Sequence, residues 1–137
     1  REMAEHGKKY AVQTIANAKA FGQALTDEGV KVEASDFGFT ASHQLALNVT
    51  NFGVAKDIAR SLAEKNNIIT NYNMLPGDKD ARNPSGLRIG VQEMTRYGMK
   101  EAEMGELASL MKSGLEGKTV KDEVTELRSR FIEVHFC

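Results

Sequence analysis

Four apolar stripes of helical period, interleaved with apolar runs too short to be helices, decide what this chain can fold into. Ala11, Ile15, Ala18, Gly22 and Leu25 recur at spacings of four and three, which predicts a helix over residues 5–28 with Gly29 as its stop. Val54, Ala55, Ile58, Ala59, Leu62 and Ala63 make a second stripe, ended by Asn66-Asn67. Met104, Leu107, Ala108, Met111 and Leu115 make a third, closed by Gly117. Val120, Val124, Leu127 and Phe131 make the fourth, with Thr119 as its N-cap. Between them, residues 30–34 and 43–49 read as strands joined by a turn-rich link over residues 35–42. Ile68-Ile69-Thr70 and Leu87-Arg88-Ile89 are two more strand candidates, separated by a polar loop that holds Pro76 and Pro84. The order is α-β-β-α-β-β-α-α. A small, mostly antiparallel sheet with helices on one face is the simplest way to bury those stripes, so the predicted class is α+β.

The chain has 137 residues, enough for one core and too few for two, so residues 1–137 are read as a single domain. Eighteen Lys and Arg against nineteen Asp and Glu give a net charge of −1, with the signs interspersed. That distribution gives no support to a nucleic-acid or membrane-surface partner. Cys137, at the last position, is the only cysteine, so no internal disulfide can form, and a reducing, cytoplasmic setting is the easier reading. No apolar run reaches the roughly 20 residues that span a bilayer. The first residue is Arg rather than Met, which suggests a longer protein and leaves apolar positions such as Met3 and Tyr10 as candidates for exposure.

Several motifs have plain structural explanations. Gly114-Leu115-Glu116-Gly117-Lys118-Thr119 ends like a phosphate-binding loop, but Lys112 stands where that motif needs its first glycine. A helix C-cap followed by the start of the next helix explains it better. Asn48-Val49-Thr50 matches a glycosylation acceptor by chance in a chain without a secretory segment. His6, His43 and His135 share no helical-face spacing, which argues against a metal site, and His43 after Thr40-Ala41-Ser42 reads as a hydrogen-bonded structural histidine. No nucleophile elbow is present.

The segment Gly86-Leu87-Arg88-Ile89-Gly90 is different. In a strand, Arg88 points to the face opposite Leu87 and Ile89, and the flanking glycines allow close approach of other backbone or a ligand. A guanidinium there suits a carboxylate held by two parallel hydrogen bonds. An exposed arginine, or one paired to a protein carboxylate, is the plainer reading of the spacing.

Gly86-Leu87-Arg88-Ile89-Gly90 followed by Met94-Thr95-Arg96-Tyr97-Gly98-Met99-Lys100-Glu101-Ala102-Glu103-Met104 resembles the C-terminal signature of serine hydroxymethyltransferases. Thr40-Ala41-Ser42-His43-Gln44-Leu45-Ala46-Leu47 and Asn71-Tyr72-Asn73-Met74-Leu75-Pro76 fall in the family's order and approximate spacing, and the first helix is similar as well.

The resemblance implies the small C-terminal domain of a pyridoxal-phosphate enzyme of the aspartate-aminotransferase fold. Its cofactor lysine and cofactor-binding domain would lie outside this chain, so the isolated piece is expected to be inactive. It implies that Arg88 binds the α-carboxylate of serine or glycine, that Asn73 contacts the pterin of the one-carbon carrier, and that the complete enzyme is a homodimer. Val91-Gln92-Glu93 stands where many members have Thr-Pro, which resembles the archaeal branch and leaves the carrier as tetrahydrofolate or a modified tetrahydropterin. The alternatives are the C-terminal domain of another enzyme of this fold, such as an aminotransferase, or a stand-alone α+β module that binds an amino acid. The loop over residues 75–85 is long for one without regular structure, and is expected to border the substrate entrance and to be poorly ordered in isolation.

Overall fold

A computed structural model describes residues 2–137. Helix α1 (Glu2–Asp27) is followed by strands β1 (Lys31–Val32) and β2 (Gln44–Asn48), helix α2 (Ala55–Asn66), and strands β3 (Asn71–Asn73) and β4 (Gly86–Gly90). Helices α3 (Gln92–Arg96), α4 (Met104–Leu115) and α5 (Lys121–Ser129) complete the chain, with single 3-10 turns at Ser35–Phe37 and Glu101–Glu103. The strands form one antiparallel sheet in the order β1-β2-β4-β3. Val32, Leu45, Leu47, Leu87 and Ile89 are buried on one of its faces. Helix α1 packs there against β1 and β2, and α2 against β3 and β4, while α4 contacts both helices. The other face carries no helix, which is the α+β arrangement that the stripes predict.

The helix ends follow the local chemistry. Gly29 takes a positive φ of 79° and Val30 N–H returns to the Leu25 carbonyl, closing α1 as its C-terminal glycine predicts. Gly117 takes φ 81° after α4, and Lys118 pairs with Glu116, so the phosphate-loop look-alike is a helix terminus. The start of α5 differs from expectation. Val120, not Thr119, is the N-cap, and no side chain of its own caps the helix. The donor is met from a distance instead: Asn66 Oδ1 accepts from Val120 N–H at 2.7 Å, and Asn66 Nδ2 donates to the Lys118 carbonyl.

Two further differences concern apolar runs. Ile68-Ile69-Thr70 is not a strand; Ile68 packs on the core, Ile69 is 90% exposed, and pairing with β4 begins only at Asn71. The polar Asn-Tyr-Asn forms the edge strand because β4 supplies its ladder, a tertiary effect that β-propensity does not contain. Helix α3, unannounced by any stripe, is held by buried polar groups. Asn17, fully buried, donates to Thr95 Oγ1 and to the Met99 carbonyl, both at 2.8 Å, and Thr95 donates to the Val91 carbonyl. Gln13 donates to Asn17 Oδ1, so every polar atom of the Asn17 side chain is used. Met3 is exposed as expected, but Tyr10 is not: it donates to the Gln92 carbonyl and its ring meets Phe136 at 5.4 Å.

The loop between β3 and β4 has an organiser that its sequence hides. The Asp78 carboxylate accepts backbone N–H groups of Leu75 at 2.8 Å and Ser85 at 2.9 Å, clamping the two ends together. These donors hold its carboxyl below the usual carboxylate range. The clamp is therefore complete above the ordinary carboxylate pKa and is lost as pH falls through the lowered value. Hydrogen exchange at the Leu75 and Ser85 amides should consequently become unprotected in strong acid, and at neutral pH in Asp78→Ala; protection unchanged in that variant would contradict the clamp. In the core, Asn17→Ala strips the Met99 carbonyl of its partner and opens a void, and should lower unfolding free energy by about 2–4 kcal/mol, measured by denaturant titration.

Candidate functional site

The helix-free face of the sheet is assembled by alternation. With Leu87 and Ile89 buried, Gly86, Arg88 and Gly90 face the other way, beside Gln44, Ala46 and Asn48 of β2. On the far side of β4, Asn71 lies opposite Arg88, and Asn73 lies opposite Gly86. The Arg88 side chain is exposed and makes no hydrogen bond or ion pair among the described residues. Of the two plainer readings, an exposed arginine is what the structure shows, and no protein carboxylate pairs with it among the described residues.

Gly86 has a steric reason. A Cβ there would lie 2.6 Å from Leu75 and 2.9 Å from the Asn73 carbonyl oxygen, whereas one on Gly90 would meet only the movable end of the exposed Gln92 side chain. Gly86 thus lets the loop fold back over β4, which carries Asn73 and Met74 to the Arg88 face.

Arg88 and Asn73 line one shallow depression of about 320 Å³. Its remaining wall comes from β1, β2 and the link between them: Glu33, Ala34, Phe39, Ser42, Gln44, Leu45 and Ala46, with Met74 from the loop after β3. The link is held by hydroxyls, since Thr40 Oγ1 accepts from Ser42 N–H at 3.0 Å and Ser42 Oγ from Gln44 N–H at 3.3 Å. Ala34 and Phe39 both take positive φ, 57° and 68°, in a region that non-glycine residues seldom occupy and that often marks ligand-facing backbone. The Phe39 ring packs onto Gly22 of α1, where an added Cβ would stand 2.7 Å from the ring. That contact anchors the strained link to the core.

Both residues singled out by the sequence, Arg88 and Asn73, are therefore brought to one site. His43 is not the hydrogen-bonded structural histidine expected: its ring makes no hydrogen bond among the described residues, and its carbonyl instead accepts Val91 N–H. Glu33, Ser42, Gln44 and Met74 were not singled out. Period-two alternation in β1 and β2 contains the signal for Glu33 and Gln44, whereas Met74 arrives only through the loop's fold. Among the described residues, no cluster of three His, Cys, Asp or Glu able to hold a metal occurs, and no helix is long and apolar enough to cross a membrane.

Comparison with known proteins agrees with this architecture. The family model "Serine hydroxymethyltransferase" matches residues 1–111. Serine hydroxymethyltransferases of Methanobrevibacter smithii and Saccharolobus islandicus are each 49% identical to the chain over 98% of its length. The chain spans 32% of each, about a third of the length of these curated relatives. Among solved structures, L-threonine transaldolase from Pseudomonas fluorescens superposes with a TM-score of 0.80 at 29% identity, over 95% of this chain and 30% of that one. With most of its length matched by the family model and nearly half of its residues shared with archaeal members, the chain belongs to the serine hydroxymethyltransferase family.

Proposed function

We propose that this chain is the C-terminal, substrate-gripping domain of a serine hydroxymethyltransferase that interconverts serine and glycine and passes the one-carbon unit to a tetrahydropterin carrier. One observation carries the reading: the Arg88 guanidinium stands unpaired on the open face of the sheet, among small and amide-bearing neighbours. An arginine in that state offers a planar fork to an incoming carboxylate without first having to break an internal ion pair. The family match favours serine and glycine as owners of that carboxylate over the substrates of an aminotransferase.

Pyridoxal phosphate supplies the electron sink for cleavage at the α-carbon when it is bound. This chain's own site does not fit it. The depression is lined by a guanidinium, amides, a hydroxyl, a carboxylate and apolar groups, with no lysine to meet the cofactor's aldehyde. The cofactor is assigned to residues outside these 137, and this chain by itself to an inactive state. What it contributes is orientation: Arg88 fixes one end of the amino acid, and β4 fixes Arg88.

Asn73 lies diagonally from Arg88 across the β3–β4 pair and lines the same depression, which suits a contact to the carrier's pterin ring beside the amino acid. The carrier is tetrahydrofolate or a modified tetrahydropterin. The homodimer of the complete enzyme and its cytoplasmic setting belong to the same proposal; a single cysteine forms no disulfide within these residues.

In the full-length enzyme, Arg88→Lys replaces the fork by a point charge and should lower kcat/KM for serine by at least about a hundredfold while cofactor absorbance is retained. Near-normal turnover would remove Arg88 from the site. Asn73→Ala should raise KM for the carrier about tenfold, the loss expected for one neutral hydrogen bond, and leave KM for serine within about twofold. A rise confined to serine would instead place Asn73 on the amino acid.

A further inference from the structure

Glu33 occupies a position on the open face that the proposed function does not use. Its backbone N–H donates to the Ala46 carbonyl at 2.8 Å, which continues the β1–β2 register of Lys31 with Asn48 and Val32 with Leu47 by one residue. Glu33 is therefore across from Ala46, and Ala46 is across from Arg88. The three share one row over three strands. Two strand spacings separate the backbones of Glu33 and Arg88 by about 10 Å, and the residue between them rises no farther than a methyl group.

Both charged side chains line the one depression, from opposite sides. Glu33 is half-buried, and neither it nor Arg88 has an ion pair or side-chain hydrogen bond among the described residues. Two long side chains of opposite charge flanking an alanine have the reach to close over it, as cross-strand pairs of opposite sign do. Here they stay apart. The depression thus presents a cation on one wall and an acceptor-only anion on the other. Lys31 shares the face two residues away on β1, but does not line the depression.

We propose that Glu33 is a specificity-determining residue of this site, which restricts it to ligands with a single carboxylate and turns away those carrying a second anionic group. The inference rests on the reading of Arg88 as the carboxylate grip. A neutral zwitterion seated on Arg88 places its carboxylate against the guanidinium and leaves nothing anionic toward β1. An amino acid with a carboxylate side chain brings its second charge toward Glu33. At about 7 Å, with a dielectric between that of a protein surface and water, such repulsion corresponds to about a threefold to tenfold loss of affinity.

The test uses the full-length enzyme with its cofactor, and compares aspartate with glycine as competitive inhibitors of serine turnover. In Glu33→Gln the ratio of the aspartate to the glycine inhibition constant should fall about threefold to tenfold, and in Glu33→Lys it should fall further, with the effect reduced by added salt. An unchanged ratio in both variants, when Arg88→Lys weakens both inhibitors, overturns the role of Glu33 and leaves the carboxylate grip standing. Unchanged binding of both inhibitors in Arg88→Lys overturns the grip itself, and the inference with it.

Discussion

Burying Leu87 and Ile89 under the helices turns the Arg88 guanidinium outward, because successive residues of a strand point to opposite faces of the sheet. The register that fixes this is held on both sides of β4. Leu45 and Leu47 of β2 lie opposite Ile89 and Leu87 and share their burial, and Tyr72 of β3 lies opposite Leu87. A slip by one residue would carry the guanidinium into the core and two large apolar side chains into water. Desolvating an unpaired charge costs several kcal/mol, so the apolar pattern of the core also selects where the site's cation stands.

Direction alone does not position a functional group to within a fraction of an ångström; the strand that carries it must itself be fixed. The chain leaving β4 is anchored at Val91, whose N–H donates to the His43 carbonyl and whose carbonyl accepts from Thr95. Thr95 in turn accepts from the buried Asn17 of α1. At the other end Gly86 admits Leu75 into close contact, and Asp78 binds the loop's two ends. A buried polar network of this kind is stable only when complete, and the use of every polar atom of Asn17 meets that condition. The same network continues to the surface, where Gln13 also donates to Glu101.

The four stripes made the helices and the one-sided sheet readable, because periodicity records which face is buried. What could not be read were features that one part of the chain imposes on another. Thr119 has the chemistry of an N-cap, yet the cap of α5 is supplied by Asn66, more than fifty residues away. Ile68-Ile69-Thr70 has the composition of a strand, yet the neighbouring Asn-Tyr-Asn is paired because β4 is there to pair it. Arg88 was legible through its apolar neighbours and flanking glycines, and through a likeness spread along the chain. Glu33 was legible only as a polar member of the alternation over residues 30–34, which gives its face but not its neighbours. Its place on the Arg88 row exists only once three strands are aligned.

The layout of that face also sets how Arg88 and Asn73 stand to each other. Arg88 stands in the row of Ala46 and Asn71, and Asn73 in the next row, opposite Gly86. Diagonal neighbours across an antiparallel pair are about 7–8 Å apart, within reach of long side chains. Of the residues around Arg88 on its own strand, both that share its face are glycines, and the Leu75 side chain fills the space over Gly86. Any substituent at Gly86 would displace Leu75 and press on the Asn73 carbonyl. Gly86 therefore fixes where the loop after β3 lies, and with it the place of Asn73 one row from Arg88.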